Sequence, residues 1–331
     1  MKNLLLLFFT AILLTGCDDK PVILKDSSGR INDILVVASN KDWEGVVGDS
    51  IRKILARPID GIIRDEPLFT LNHIKPESFS GLLLKNRNYL FVKKGDSAKV
   101  SVKKDKYANP QIGIIVQGNS SEAIAKTLGA NAENLISVYS KGEVAWKNYL
   151  MNKTKLNTSR IEEQFGIKIT VPRTYRYAAK DDEDFFWLRR GIEEGTMDIM
   201  IYEVDYNSIK RDSNTVKDII AIRDSVGGIK IPVDEGGRFK TEAMFTPFLN
   251  ETQVDGKFAF ETRGIWEVEN LFMAGPFINY AVYNEEKKNW LILEGYVSAP
   301  NSIQRNYLFE LEAILRSARF PTRSSKEEAP D

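Results

Sequence analysis

The stretch Ile31-Asn32-Asp33-Ile34-Leu35-Val36-Val37-Ala38-Ser39 decides the architecture of the first half of this chain. Its apolar centre is rich in β-branched residues and too short for a buried helix, so it reads as a strand. The next segment has helical spacing, with Trp43, Val47, Ile51, Ile54 and Leu55 on one face and Pro58 as the stop. Residues 68–74 and 89–94 read as further strands, with a short helix over 76–84 between them. Residues 99–104 alternate Val with polar side chains, the pattern of a half-exposed strand. Residues 112–116 are apolar throughout, as a central strand covered on both faces should be. Ser120 or Ser121 is placed to cap a helix starting at Glu122. Residues 131–153 should be largely helical, with a break at Gly142. Strands alternating with helices make residues 31–155 an α/β domain.

The polar stretch 152–159 marks the boundary, and the pattern beyond it changes. A short helix is expected over 160–165. Strands are expected over 167–171, 175–179, 185–190, 197–204, 239–248, 257–268, 277–283 and 290–297. An amphipathic helix over 214–226 should end at Gly227. A closing helix should start at Pro300 or Asn301 with Ile303, Tyr307, Leu308, Leu311, Ile314 and Leu315 in one stripe. Residues 156–320 are therefore an α+β domain, a mostly antiparallel sheet with helices packed on it, and 321–331 form a loose tail.

The amino terminus carries a different message. Lys2 precedes an apolar run over 4–14, and Leu14-Thr15-Gly16-Cys17 has the order of a lipobox. At about 1.5 Å per residue the run is too short to cross a hydrocarbon core of roughly 30 Å. Residues 1–16 are expected to be a signal peptide, Cys17 to be lipidated, and 17–30 to be a polar tether. Anchoring strength scales with the buried acyl methylenes. The expectation is a cell-envelope protein held by lipid, at the outer membrane facing the periplasm, with exposure at the cell surface as the alternative.

Composition excludes several classes. With 331 residues, 43% hydrophobic, a packed core is ensured. Lys+Arg and Asp+Glu are both 46, so no net field recruits nucleic acid. Cys17 is the only cysteine and His73 the only histidine, which removes His/Cys metal sites and Cys/His catalysis within one chain. No phosphate-binding glycine loop is present, and no cofactor is expected. Glu242, Glu261, Glu267, Glu269 and Glu294 lie in or beside strands and leave carboxylate chemistry open. The acidic run 181–184 reads as a solvated turn rather than a calcium loop.

The densest stretch is Glu261-Thr262-Arg263-Gly264-Ile265-Trp266-Glu267. Arg263 could hold an anion in bidentate fashion and Trp266 could stack on a ligand. In a regular strand they point to opposite faces, so a shared site requires a bend or bulge at Gly264.

Several ordered stretches together resemble an uncharacterised lipoprotein family of the Bacteroidota, domain of unknown function 4837. They are Asp42-Trp43, Gly48-Asp49-Ser50-Ile51-Arg52, Glu66-Pro67-Leu68-Phe69, Phe186-Trp187-Leu188-Arg189-Arg190 and Arg223-Asp224-Ser225-Val226-Gly227. Thr262-Arg263-Gly264-Ile265-Trp266, Gly275-Pro276-Phe277 and Glu294-Gly295-Tyr296-Val297-Ser298-Ala299-Pro300 complete the set, which spans nearly the whole mature chain. The resemblance implies an envelope lipoprotein and no known reaction. The expectation is a non-enzymatic module binding an envelope protein or glycan. The alternatives are a carboxylate-dependent hydrolase of envelope polymers and a small-ligand carrier using the groove between the halves.

Overall fold

The computed structural model describes residues 24–179, 182–233 and 236–321. Cys17, the leader and most of the terminal tail lie outside the described residues. In the first half, β1 (Asp33–Val37), β2 (Thr70–Ile74), β3 (Asn88–Lys94), β4 (Lys99–Lys104) and β5 (Ile112–Gly118) form one sheet in the order β2-β1-β3-β5-β4. All pairs are parallel except the β4 edge, which runs antiparallel to β5. Strand β1 is buried on both faces. Ile34 and Val36 meet α2 (Val46–Leu55), α3 (Ser121–Ala130) and α4 (Ala132–Lys153), while Leu35 and Val37 meet Phe79, Tyr89 and Tyr107. Each such Ile or Leu contributes about 1.5–3 kcal/mol by leaving water.

Several local expectations change. The first helical segment is split by Gly45 into α1 (Asn40–Glu44) and α2. The helix expected over 76–84 is two 3₁₀ turns, Pro76–Ser78 and Gly81–Lys85. Gly142 does not break α4; a Cβ there would come within 2.9 Å of Ile112, so the glycine lets the helix press onto β5. The tether is shorter than expected, because Ser27 and Ser28 already donate backbone hydrogen bonds to Asn109 and Lys85.

In the second half, β10 (Phe248–Val254), β11 (Lys257–Val268), β12 (Ala274–Asn284), β13 (Asn289–Ser298), β8 (Gly195–Asp205), β7 (Phe185–Ile192) and β6 (Arg176–Tyr177) lie side by side. The short β9 (Phe239–Thr241) pairs with β11, and every pairing is antiparallel. The strand expected over 239–248 is thus two strands joined by a turn. Residues 167–171 bury Ile167, Ile169 and Val171 without forming a strand. One face of this sheet is covered by α5 (Ser159–Phe165) and α7 (Arg305–Leu315), the other by α6 (Thr215–Lys230). Helix α6 runs past Gly227, whose missing Cβ makes room for Phe239. Helix α7 starts at Arg305 rather than Pro300, and Ile303 lies outside it, exposed.

The two halves share a junction. Ile62 and Met151 of the first half sit in the core beneath α7. The Glu66 carboxylate accepts from the backbone N–H groups of Gln304 at 2.9 Å and Arg305 at 2.6 Å, capping α7 from the other half. Arg305 returns hydrogen bonds to Pro67 O at 2.8 Å and Thr70 Oγ1 at 3.1 Å. Lys147 of α4 pairs with Glu310 of α7 at 2.6 Å, and Arg190 joins the same carboxylate.

Candidate functional site

Arg263 projects from β11 toward α7 and the loop entering from the first half. Its Nε lies 2.7 Å from Glu261 Oε1 and its Nη2 2.9 Å from Glu312 Oε2. Arg316 reaches the other oxygens of the same two carboxylates, at 2.9 Å and 3.1 Å. The Tyr280 hydroxyl donates to Glu261 at 2.8 Å and accepts from Arg316 at 3.0 Å. Gly61, at φ +82°, lies so close that a Cβ would meet Arg263 Cβ at 2.7 Å. Burial disfavours the Glu261 charge, but Arg263, Arg316 and the Tyr280 hydroxyl outweigh it and hold the carboxyl below its usual value. Burial likewise opposes the Arg263 charge, and Glu312 and Glu261 overcome it. The ring sets two guanidinium groups against two carboxyl side chains, each arginine reaching both acids. The cleft over it encloses about 200 Å³ and is also lined by Arg57, Phe69 and Arg305.

Trp266 is placed on the opposite face. The β11–β12 register runs without interruption from Ala259↔Val282 to Glu267↔Ala274, so Gly264 makes no bulge. This corrects the idea of one site built from both residues. Trp266 is 2% exposed. Its indole N–H donates to Val297 O at 3.0 Å, and its ring stacks on Phe239 at 5.3 Å.

The same face buries two ionic clusters. Arg223, with no exposed surface, donates to Glu294 at 2.9 Å and Thr241 at 2.8 Å, and its Cζ sits 3.9 Å from the Phe277 ring centroid. Burial pushes the Glu294 carboxyl up against the pull of Arg223. Asp198 accepts from Trp187, Arg189 and Thr196 at 2.7–2.8 Å. Arg223, Glu294, Trp187 and Arg189, all within the family-like stretches, thus hold helix to sheet and strand to strand.

The remaining sequence candidates sit at the surface. Burial raises the Glu267 carboxyl, helped by a hydrogen bond with Glu242, while Lys240 lies 3.6 Å from Glu267 and 3.1 Å from Glu269. His73 stacks on Trp43 at 4.8 Å and its Nε2 lies 2.9 Å from Ala38 O, a packing role at the end of β1. At the carboxyl ends of the parallel strands, where such sheets bind ligands, Asp42 is held by Ser39, Ser121 and Lys94 at 2.8–3.3 Å. Asp42 lines a recess of about 420 Å³ there, with Ser39, Lys94 and Ser121.

A larger recess lies elsewhere, between α4, the β4–β5 connection and residues 24–26. It encloses about 880 Å³. Leu24, Ile112, Val138, Gly142, Ala145 and Trp146 form an apolar floor. Trp146 stacks on Tyr149 at 5.5 Å, with Arg87 Cζ 5.4 Å from the Trp146 centroid. Arg87 is fixed by the buried Glu143 at 2.7 Å, and Glu143 also takes bonds from Asn88 and the Asn32 backbone N–H. Sequence reading missed this groove. The signal for it was helical: Leu135, Ile136 and Tyr139 face the core, yet Trp146, Tyr149 and Leu150 continue the apolar content outward.

No curated protein matches this chain. Among solved structures, the Saccharomyces cerevisiae Ran-binding protein Mog1p aligns at TM-score 0.30 and 10% identity, covering 46% of this chain and 89% of that one. A Mog1 point mutant aligns at 0.30 and 11%, covering 46% and 90%. A likeness this loose bears on neither activity nor partner. Two family models do match. Residues 153–317 fit "Domain of unknown function (DUF4837)", so that likeness covers the second half rather than nearly the whole mature chain. Residues 27–152 fit "Domain of unknown function (DUF8532)", and the two matches abut within the polar stretch at the end of α4. Together the two matches take in residues 27–317, so each half of the described fold is similar to a domain of unknown function.

Proposed function

We propose that this chain is a lipid-anchored cell-envelope protein, attached through Cys17, whose folded part binds a ligand or partner and catalyses nothing. Its place is the outer membrane, facing the periplasm. The groove beside α4 carries this reading. It is large enough for a small molecule, about 300–1,000 Å³ being usual for such sites, and its lining is aromatic, aliphatic and cationic. Three carboxyl groups that a hydrolase of envelope polymers could use are tied up in ion pairs, Glu261 and Glu312 by two arginines and Glu294 by Arg223. The groove between the halves, the alternative carrier site, is the smaller and ionically closed one. Fractionation and crosslinking test the reading. Wild-type protein should pellet with membranes, and Cys17→Ala should remain uncleaved or be released. Crosslinks in intact cells should map to the α4 face. A cleaved Cys17→Ala protein that resists alkaline extraction would refute the anchor, and substrate turnover by the purified chain would refute the binding role.

A further inference from the structure

We infer that the α4 groove takes an anionic phospholipid from the bilayer surface, its acyl part on the apolar floor and its phosphate among the lysines of the rim. The inference rests on the envelope-binding reading and names its ligand.

Three observations converge on it. The first is the pairing of chemistries. Leu24, Ile112, Val138, Ala145 and Trp146 make a continuous apolar surface, and Lys104, Lys141 and Lys153 stand around it. Among the described residues none of these three lysines is in an ion pair; Lys153 lies 4.4 Å from the Tyr149 ring centroid. Asp26 and Asp105 also line the recess, and Asp105 is engaged by the Gln111 backbone N–H at 2.7 Å. The free cations therefore outnumber the free carboxylate.

The second is charge at the scale of the whole fold. The chain is neutral only as a sum. Residues 24–153 hold 20 Lys and Arg against 14 Asp and Glu, whereas residues 154–331 hold 24 against 30. The half that carries the groove is the basic one, and a basic surface is drawn to anionic lipid.

The third is where the chain enters. Leu24 is itself part of the groove wall and follows Cys17 by seven residues, which span at most about 25 Å when extended. A lipid on Cys17 would hold this mouth within reach of the headgroups. Tyr149 and Leu150, 55% and 37% exposed beside it, suit the interface between water and hydrocarbon. A single lipid modification with a basic patch is also a recognised two-part anchor.

The experiment uses residues 18–331, which keep every residue of both sheets and carry no lipid. Vesicles of phosphatidylcholine are compared with vesicles also containing phosphatidylglycerol, with acyl chains brominated to quench indole fluorescence. The chain should float with the anionic vesicles alone, and added salt should weaken the association. Lys104→Glu, Lys141→Glu and Lys153→Glu together, on exposed positions, should weaken partitioning about 100-fold, at somewhat under tenfold per lysine. Part of the quenching should vanish in Trp146→Phe. Equal partitioning to both vesicle types overturns the inference, as does anionic binding whose quenching does not depend on Trp146. If the chain ignores both vesicles yet crosslinks to an envelope protein in cells, the lipid assignment falls and the binding reading stands. Turnover of an envelope polymer would remove both.

Discussion

Glu66→Ala tests whether the halves fold as one unit. Glu66 is 7% exposed and belongs to the first half, yet its carboxylate closes the first turn of α7 in the second. A helix start leaves N–H groups without partners, and a negative charge there also meets the positive end of the helix dipole. Hydrogen bonds to a charged group contribute about 1.5–3 kcal/mol, and loss of a helix cap costs about 0.5–2 kcal/mol. With both donors buried and water excluded, Glu66→Ala should destabilise the protein by about 3–4 kcal/mol. Glu66→Gln keeps one acceptor oxygen and should cost about half as much. Urea unfolding followed by circular dichroism and tryptophan fluorescence would measure both, provided the slope stays constant. Both probes should shift together, because α7 carries core from each half. A loss below about 1 kcal/mol for Glu66→Ala, or a shift confined to one probe, would refute the reasoning.

Trp266→Ala should cost about 3–5 kcal/mol in the same assay, since it empties a core position and leaves Val297 O without a donor; a near-neutral result would return Trp266 to the surface. Arg263→Ala should cost about 3–5 kcal/mol, because Glu261 and Glu312 would then share Arg316 alone; retained stability would mean that the ring is solvated. Acid titration carries a definite sign. Glu261 has a folded pKa below its unfolded value of 4.5, so its contribution is complete above that pH and drains away as pH falls through the depressed value. Asp198 and Glu294, raised by burial, act in the opposite sense, so the comparison with Arg263→Ala is the measurement. The variant should show a shallower acid slope, and parallel curves would exclude the ring as its source.

Periodicity and turn chemistry were enough for β1, β4, β11, β13 and the presence of α3, whose cap the structure fixes at Ser120 rather than Ser121. In each, neighbours in sequence determine the backbone state. They failed at Gly142 and Gly227, where a glycine inside a helix looks like a stop but permits close packing. They failed also over 167–171, whose β-branched residues fill a core without a neighbouring strand to pair with.

The sites divide along the same line. Strand alternation placed Arg263 and Trp266 on opposite faces, conditional on Gly264, and the β11–β12 register met that condition. Which face held what was not in the local pattern. Arg263 meets Glu312 across 49 residues, Arg223 meets Glu294 across 71, and Glu66 meets Arg305 across 239. Sequence by itself determined the residue types, the strand and helix periods and the order of an α/β half before an α+β half. Tertiary structure alone decided which charges meet in the junction and which lysines around the α4 groove have no ion-pair partner among the described residues, because charge pairing depends on distance through space and burial, and neither is local in the chain.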